Sequence, residues 1–252
     1  MLGGLSIGAI PYSALSQDAW SPARLGVLDF WYSPESLPGG AGDSIDRWND
    51  RSGNGRHLIG AAAAPNKTLN AFGGYASATF STGDAMVSTG PIIDWAAGAR
   101  TMAIVYQHDQ DGLSPMSICG ITGGNDGVNG EWFMIQARAD IGPGDPYFAG
   151  WANDTNVGGI DTAIKIAVVS YDGTALDLYE NLRATTPSTG STRTLLTDSG
   201  FLSVGHSQGA SAPESFGGNL LEMIGWSSTI SDNDLELLCF YASARYGMTV
   251  ST

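Results

Sequence analysis

Short runs in which apolar and polar residues alternate recur along this 252-residue chain, and they constrain its fold more than any other feature. In residues 75–80, for example, Ala76, Ala78 and Phe80 fall on one face of an extended segment. The same period of two appears in three further runs, residues 101–108, 131–138 and 163–171. Because side chains of a β-strand point alternately to opposite sides, this period is typical of strands with one buried face. Glycine, asparagine, aspartate and proline separate the runs, which predicts tight turns between antiparallel strands.

One segment, residues 231–246, has the spacing of an amphipathic helix. Its apolar residues recur three and four positions apart, at Leu235, Leu238, Cys239, Ala242 and Tyr246. Ser231 and Asp234 have the spacing of a capping box, and Gly247 stands where a helix commonly ends. Many strands and one terminal helix predict an all-β, two-sheet antiparallel sandwich with one short C-terminal helix.

The chain carries few charged residues and a strongly negative net charge. Charged side chains make up 14% of it, against about 25% in ordinary soluble proteins, and 35 residues are glycine. The formal net charge is −14, and Lys67 and Lys165 are the two lysines. An acidic surface repels phosphate groups and anionic lipids, so we expect neither nucleic acid nor an inserted membrane as a partner.

The first 20 residues differ from the rest of the chain because they are glycine-rich and only mildly apolar, and they end at Trp20. They contain neither the basic start of a signal peptide nor the long apolar run of a membrane span. We therefore expect an extended N-terminal arm over residues 1–20 and one domain over residues 21–252. An arm of this kind predicts docking on neighbouring proteins or on further copies of the chain.

Five short motifs occur in order along residues 25–250. They are WNDRSGNG at 48–55, YDG with LDLYEN at 171–181, LSVG at 202–205, FGGNLLE at 216–222, and the helix with its flanking residues at 230–247. In type and order they resemble motifs of the laminin-G-like, concanavalin A-like jelly-roll family, which occurs in phage virion proteins and secreted carbohydrate-binding modules. Asp234 stands where that family has glutamate, and Leu182 follows Asn181 where the family often has glycine. Such motifs imply a jelly-roll fold and say little about function.

The pattern Gly205-His206-Ser207-Gln208-Gly209 matches the nucleophile elbow of α/β hydrolases. The elbow needs a helix directly after its serine, and a histidine further along the chain. Residues 210–214 (ASAPE) do not start a good helix, and no histidine follows His206. We therefore interpret this segment as a strand end followed by a polar loop.

The sequence also lacks the carboxylate run that glycosidases of this fold use. Asp177 and Glu180 are three residues apart, so a strand places them on opposite faces. Gln136 and Arg138 alternate on one predicted strand and would form half of a polysaccharide-lyase site. We expect no catalytic residues, with a polysaccharide lyase or glycosidase as the low-ranked alternative.

Metal ligands are sparse in the sequence. The three histidines are scattered, which argues against zinc, and no cofactor is expected. Calcium ligands are offered by two loops that hold Asp109, Asp111, Asn125 and Asp126. Cys119 and Cys239 lie among apolar residues, which favours two buried thiols over the alternative of one disulfide.

Residues 147–154 (YFAGWAND) form the segment best suited to a ligand. Tyr147 and Trp151 fall on one face of an extended chain, and Asn153 and Asp154 follow directly. Sugars are bound by stacking on an aromatic ring together with hydrogen bonds to amides and carboxylates. These four residues are the predicted ligand-binding set, and an aromatic core face that ends in a polar loop is the alternative.

Three functions from different classes fit these features. The first is a non-enzymatic structural or attachment protein of a phage virion: a capsid decoration, head-fibre or tail-fibre protein. It would lie on the virion surface as a homo-oligomer, contact other virion proteins through its arm, and display a jelly roll that binds cell-surface glycan. The second is a carbohydrate-binding module of a secreted protein, and the third is a polysaccharide-cleaving enzyme.

Overall fold

The computed structural model describes most of the chain in twelve ranges. They are residues 20–61, 63–92, 98–109, 116–121, 133–138, 145–150, 155–156, 162–181, 183–184, 195, 200–206 and 215–250. The predicted arm, apart from Trp20, lies outside these residues.

The described strands form two eight-stranded sheets in which all pairings between strands are antiparallel. The strands of the first sheet are β1 (Leu28–Tyr32), β4 (Asn66–Phe72), β5 (Tyr75–Phe80), β7 (Arg100–His108), β12 (Lys165–Tyr171), β13 (Leu176–Glu180), β14 (Arg183–Ala184) and β16 (Gly218–Trp226). Their order is β14-β13-β12-β7-β16-β5-β4, and β1 also pairs with β16.

The second sheet contains the remaining eight strands. They are β2 (Arg47–Trp48), β3 (Leu58–Gly60), β6 (Met86–Ser88), β8 (Met116–Ile121), β9 (Phe133–Arg138), β10 (Asp145–Ala149), β11 (Thr155–Asn156) and β15 (Leu202–Val204). Their order is β11-β10-β9-β8-β15-β6-β3-β2. Consecutive strands pair at the outer parts of both sheets, as in β12–β13 and β9–β10, whereas the central pairings, such as β7–β16 and β8–β15, join distant parts of the chain. The central crossovers are those expected of a jelly-roll sandwich.

The main core lies between the two sheets and follows the alternation of the sequence. On β7, Met102, Ile104 and Tyr106 belong to this inner cluster, whereas Ala103 and Val105 belong to a second cluster on the other face. Both faces of β7 are therefore buried, which corrects the expectation of one buried face for this run and accounts for the unbroken apolar sequence at residues 102–106.

The second cluster lies between the outer face of the first sheet and the helix α1 (Asp232–Tyr246). The capping box predicted at Ser231 and Asp234 is present, and Gly247 ends the helix with a left-handed φ of 70°. The predicted apolar stripe is buried against the sheet. Within the described part of the chain, no helix combines the length and hydropathy that a membrane span needs.

The turn after β2 is organised by the carboxylate of Asp50. Asp50 Oδ1 accepts hydrogen bonds from the backbone N–H groups of Trp31 (3.0 Å) and Ser52 (2.9 Å), and Oδ2 accepts from that of Arg56 (3.0 Å). Trp48 is fully buried in the core and donates through Nε1 to a backbone carbonyl. The hydrogen bonds of this segment therefore hold the turn against β1, and we assign it a structural role.

The predicted fold class, a two-sheet antiparallel sandwich with one C-terminal helix, is confirmed. The dense apolar run at residues 25–32 predicts a strand from Leu25, and the strand begins instead at Leu28, after a 3₁₀ turn at Pro22–Arg24. The glycine-rich stretch at residues 120–130 predicts a loop, but Gly120 lies in β8, where an added Cβ would collide with Met134 of β9. Cys119 and Cys239 are both buried, and neither forms a disulfide.

Candidate functional site

One row of directly opposed residues crosses the second sheet on the face turned away from the core. It runs through seven strands, from β2 to β10, as Arg47, Ile59, Val87, Ser203, Gly120, Met134 and Ala149. The chain neighbours of these residues, such as Leu58, Leu202 and Phe133, point into the main core. Alternation therefore places the row on the outer face of the sheet. We call this surface the outer face of the second sheet.

Exposure changes abruptly along this row. Arg47 is exposed and Ile59 is 39% exposed, whereas Ser203 is 2% exposed and Met134 is fully buried. The change falls between β6 and β15, where Val87 is half-buried. The face is thus open on its β2–β3–β6 side and enclosed on its β15–β8–β9 side, which produces a boundary along β15.

A buried hydroxyl without a protein partner lies at this boundary. Ser203 Oγ has no hydrogen-bond partner among the described residues, although the side chain is buried. A buried hydroxyl without a partner costs about 1–3 kcal/mol, so most such groups in proteins are paired. The hydroxyl is therefore a vacant donor and acceptor beside the open half of the face.

An exposed aromatic ring lies beside that hydroxyl in the chain. Phe201 precedes Ser203 by two residues, so alternation places both on the same face, and the phenylalanine side chain is 45% exposed. With Ile59 and Val87 it adds apolar surface to the open half of the face. An exposed aromatic ring and an unpaired hydroxyl are groups that can stack on a sugar and hydrogen-bond to it.

The enclosed half of the face carries a second polar pair. Gln136 Nε2 donates to Ser117 Oγ at 3.0 Å, and both side chains are buried. The register of β9 and β10 places Tyr147 opposite Gln136 and Asp145 opposite Arg138. The predicted ligand residue Tyr147 therefore lies on the same sheet as Ser203, three strands away.

The other predicted ligand residues, Trp151, Asn153 and Asp154, lie outside the described residues, and their roles stay predictions. The predicted calcium ligands also stay predictions. Asp109 is exposed directly after β7, whereas the other three candidates, Asp111, Asn125 and Asp126, lie outside the described residues. Among the residues that the structure describes, no three histidine, cysteine, aspartate or glutamate side chains meet in a group able to hold a metal ion.

None of the side chains described on the outer face of the second sheet is a carboxylate. In the segment with the nucleophile-elbow pattern, residues 205–209, His206 pairs with Ser215 in an isolated antiparallel bridge. Ser207 lies outside the described residues. Asp177 and Glu180 occupy β13 positions of opposite orientation, as predicted.

A fully buried carboxylate does occur, but on the first sheet. Glu222 accepts hydrogen bonds from Trp31 Nε1 (2.7 Å), Tyr241 Oη (3.0 Å) and Tyr246 Oη (2.6 Å). Burial raises the pKa of Glu222, and the three hydrogen bonds oppose that rise. Because β1 and α1 cover it, this group fastens the helix to the sheet and is closed to a substrate.

The sequence matches no protein-family model and no curated protein. Solved structures with a similar fold do exist. One is domain 4 of AbnA, a GH43 extracellular arabinanase from Geobacillus stearothermophilus, in complex with arabinotriose. It is 12% identical with a TM-score of 0.61, and the match covers 84% of this chain and 98% of that one.

Two larger proteins also contain this fold. A GH54 α-L-arabinofuranosidase is 16% identical with a TM-score of 0.60, and the match covers 82% of this chain and 52% of that one. Trypanosoma rangeli sialidase is 13% identical with a TM-score of 0.59, and the match covers 86% of this chain and 33% of that one. The chain thus spans about half of the first and a third of the second. At these identities the likeness shows the fold alone.

The groups at the boundary of the outer face could not be identified from the sequence. Phe201 directly precedes β15 and Ser203 is the middle residue of this three-residue strand, which is too short to show a period. A weak signal is present in retrospect, since an aromatic and a hydroxyl residue alternate with the apolar residues Leu202 and Val204.

Proposed function

We propose that this protein is a non-catalytic module that binds a neutral oligosaccharide, and that the sugar lies on the outer face of the second sheet along β15. The observation that carries the proposal is the exposed Phe201 ring beside the vacant, buried hydroxyl of Ser203. A sugar ring would stack on the aromatic side chain, and one of its hydroxyls would bond to Ser203 Oγ once the side chains that cover this buried atom move aside. Binding would satisfy the hydroxyl that the free protein leaves unpaired.

The neighbour matched over nearly its whole length supports this proposal. Domain 4 of the arabinanase was solved with arabinotriose, and it has nearly the extent of this chain. A sandwich of this size and topology therefore holds a short oligosaccharide in at least one protein. This supports a sugar as the ligand, and arabinotriose is accordingly the first oligosaccharide to test.

Binding is favoured over hydrolysis by the composition of the face. Most glycosidases need two carboxyl groups on either side of the scissile bond. The described side chains of the face supply the Phe201 ring, the hydroxyls of Ser203 and Ser117, the Gln136 amide and aliphatic groups, with Arg47 at the edge as the charged member. Such groups orient and desolvate a sugar, and they offer no general acid.

The biological setting remains the one predicted from the sequence. We propose a role as an attachment protein on a virion surface, with the N-terminal arm docked on other virion proteins or on its own copies. A carbohydrate-binding module of a secreted protein is the alternative. Sugar binding by the outer face of the second sheet is compatible with both the virion attachment protein and the secreted module.

Isothermal titration calorimetry with arabinotriose and a panel of neutral oligosaccharides tests the proposal. Phe201→Ala should weaken binding by about tenfold or more, which corresponds to about 1.4 kcal/mol. Leu69→Ala is the matched control, because Leu69 is 46% exposed and lies on the first sheet. Its affinity should equal that of the wild type.

Two outcomes would contradict the proposal. One is the absence of binding to every neutral oligosaccharide at millimolar concentration. The other is an equal loss of affinity in Phe201→Ala and Leu69→Ala, since the two substitutions remove similar exposed apolar surface on different sheets.

A further inference from the structure

Two arginines and one exposed glutamate meet where the loop after β2, the turn after β1 and the end of α1 come together. Arg51 Nη1 lies 3.1 Å from Glu35 Oε2, and Arg245 Nη2 donates to Glu35 Oε1. Ser33 Oγ donates to Glu35 Oε2 at 2.8 Å. The carboxylate is thus held by a guanidinium on each side, although the Glu35 side chain is 42% exposed. We call Arg51 and Arg245 the arginine pair.

Each guanidinium of the arginine pair lies over an aromatic ring. The Arg51 guanidinium lies 4.2 Å from the centre of the Trp31 ring, and that of Arg245 lies 4.1 Å from the centre of the Tyr75 ring. A cation–π contact restrains the position of a guanidinium and still lets its N–H groups donate hydrogen bonds. The arginine pair is therefore oriented by the rings as well as by Glu35.

A second carboxylate, that of the buried Glu222, lies near Arg245 but not in the position that Glu35 occupies. Glu222 Oε2 lies 4.0 Å from Arg245 Nε, on the buried side of the guanidinium, and its oxygens already accept from Trp31 and two tyrosines. Glu35 approaches from the solvent side. Removing the Glu35 charge would take the solvent-side carboxylate from both arginines, of which the Arg51 side chain is 37% exposed and that of Arg245 is 15% exposed.

We infer that the arginine pair is a binding site for a carboxylate-bearing sugar, such as a uronic acid, and that Glu35 occupies this site in the free protein. Paired guanidiniums recognise carboxylates through charge-assisted hydrogen bonds in a fixed geometry. The Arg51–Glu35 pair is exposed and contributes little to stability, whereas the Arg245 side chain is 15% exposed, so the cost of displacing Glu35 lies mainly in its contact with Arg245. The half-buried Tyr75 lies beside the site and offers apolar surface to the ring that carries the carboxylate.

This site is separate from the outer face of the second sheet, and the inference rests on the proposed function only in taking a sugar as the ligand. Trigalacturonate supplies the carboxylates, its methyl ester is the neutral control, and triglutamate tests whether any carboxylate suffices. Glu35→Gln removes the internal competitor. Glu236→Gln is the matched control, because it makes the same change in net charge at an exposed position of α1.

Calorimetric titration at low ionic strength should show trigalacturonate binding Glu35→Gln about tenfold or more tightly than the wild type, because a tethered carboxylate competes at an effective concentration on the order of millimolar. Glu236→Gln should match the wild type, and Arg51→Gln should weaken the binding seen in the wild type. Added salt should weaken every complex.

Equal affinity of Glu35→Gln and the wild type, including no binding to either, would overturn the inference. Equal binding of the methyl ester or of triglutamate would overturn the choice of a carboxylated sugar. Arabinotriose titrated into the same variants separates the two proposals, since its affinity depends on Phe201 and is expected to be the same in Glu35→Gln as in the wild type.

Discussion

Replacement of Glu222 by alanine should be among the most destabilising single changes in the protein. The carboxylate is fully buried and accepts one indole and two phenol hydrogen bonds, all of them from β1 and α1. Alanine would leave Trp31 Nε1, Tyr241 Oη and Tyr246 Oη facing a space without an acceptor. The helix would lose its polar attachment to the first sheet.

The expected magnitude follows from those three donors. Each buried donor left without a partner costs about 1–3 kcal/mol, and removal of the carboxylate recovers part of the free energy spent on burying a charge. We expect Glu222→Ala to lower the free energy of unfolding by about 3–5 kcal/mol. Glu222→Gln keeps one acceptor oxygen, and a tyrosine hydroxyl can turn to accept from the amide, so its loss should be about 1 kcal/mol.

The pH dependence has a definite sign. Burial raises the pKa of Glu222 above its ordinary value of 4.5, so the folded state holds the proton more tightly than the unfolded state. The stability that comes from this difference is fully present below the unfolded pKa and is lost as pH rises through the folded pKa. Glu222→Gln lacks that dependence, so the wild type should lose stability relative to this variant as pH rises above about 4.5.

Urea unfolding followed by far-ultraviolet circular dichroism at several pH values measures these differences. Glu222→Ala within about 1 kcal/mol of the wild type would refute the reasoning, because the three donors would then not depend on the carboxylate. Equal losses in Glu222→Ala and Glu222→Gln would refute it as well.

Three further substitutions test the supporting structure, each by urea unfolding. Asp50→Ala should lower the free energy of unfolding by about 2–4 kcal/mol, because three backbone N–H groups lose their acceptor. Gly225→Ala should cost about 1–3 kcal/mol, since the added Cβ would overlap the Phe30 ring in the core. Ser231→Ala should cost about 1 kcal/mol through loss of the helix cap, and a change below a few tenths would count against the cap.

The longer elements of the fold could be predicted because their periods extend over enough residues. The run at Tyr75–Phe80 and the helix show clear periods of two and 3.6, and the structure places them within one or two residues of the prediction. The strands of two or three residues, such as Arg47–Trp48 and Leu58–Gly60, are too short for any period. Their existence depends on partners that are distant in the sequence.

Buried charges inside the sandwich also escaped the sequence analysis. Arg100 is fully buried, with its guanidinium 4.7 Å from the centre of the Phe133 ring and 4.8 Å from that of Tyr171. Burial lowers the pKa of this arginine to about 10. Lys165 is also buried, and its Nζ lies 3.0 Å from Glu180 Oε1. The partners of each cation are on other strands, so only the assembled sheets reveal them.

The candidate site was predictable in kind but not in position. The sequence indicated sugar recognition by aromatic and polar groups and placed it at Tyr147 and the residues that follow. The described residues bring Tyr147 onto the same sheet as Phe201 and Ser203. The register that connects them passes through strands from distant parts of the chain, and no local pattern encodes it.

Nuclear magnetic resonance titration of the ¹⁵N-labelled protein with arabinotriose tests sugar recognition by the outer face of the second sheet most directly. The largest shifts are expected at the amides of Val87, Phe201 and Ser203, because these residues line the boundary between the open and enclosed halves of that face. Shifts confined to the first sheet, or none at millimolar ligand, would contradict it.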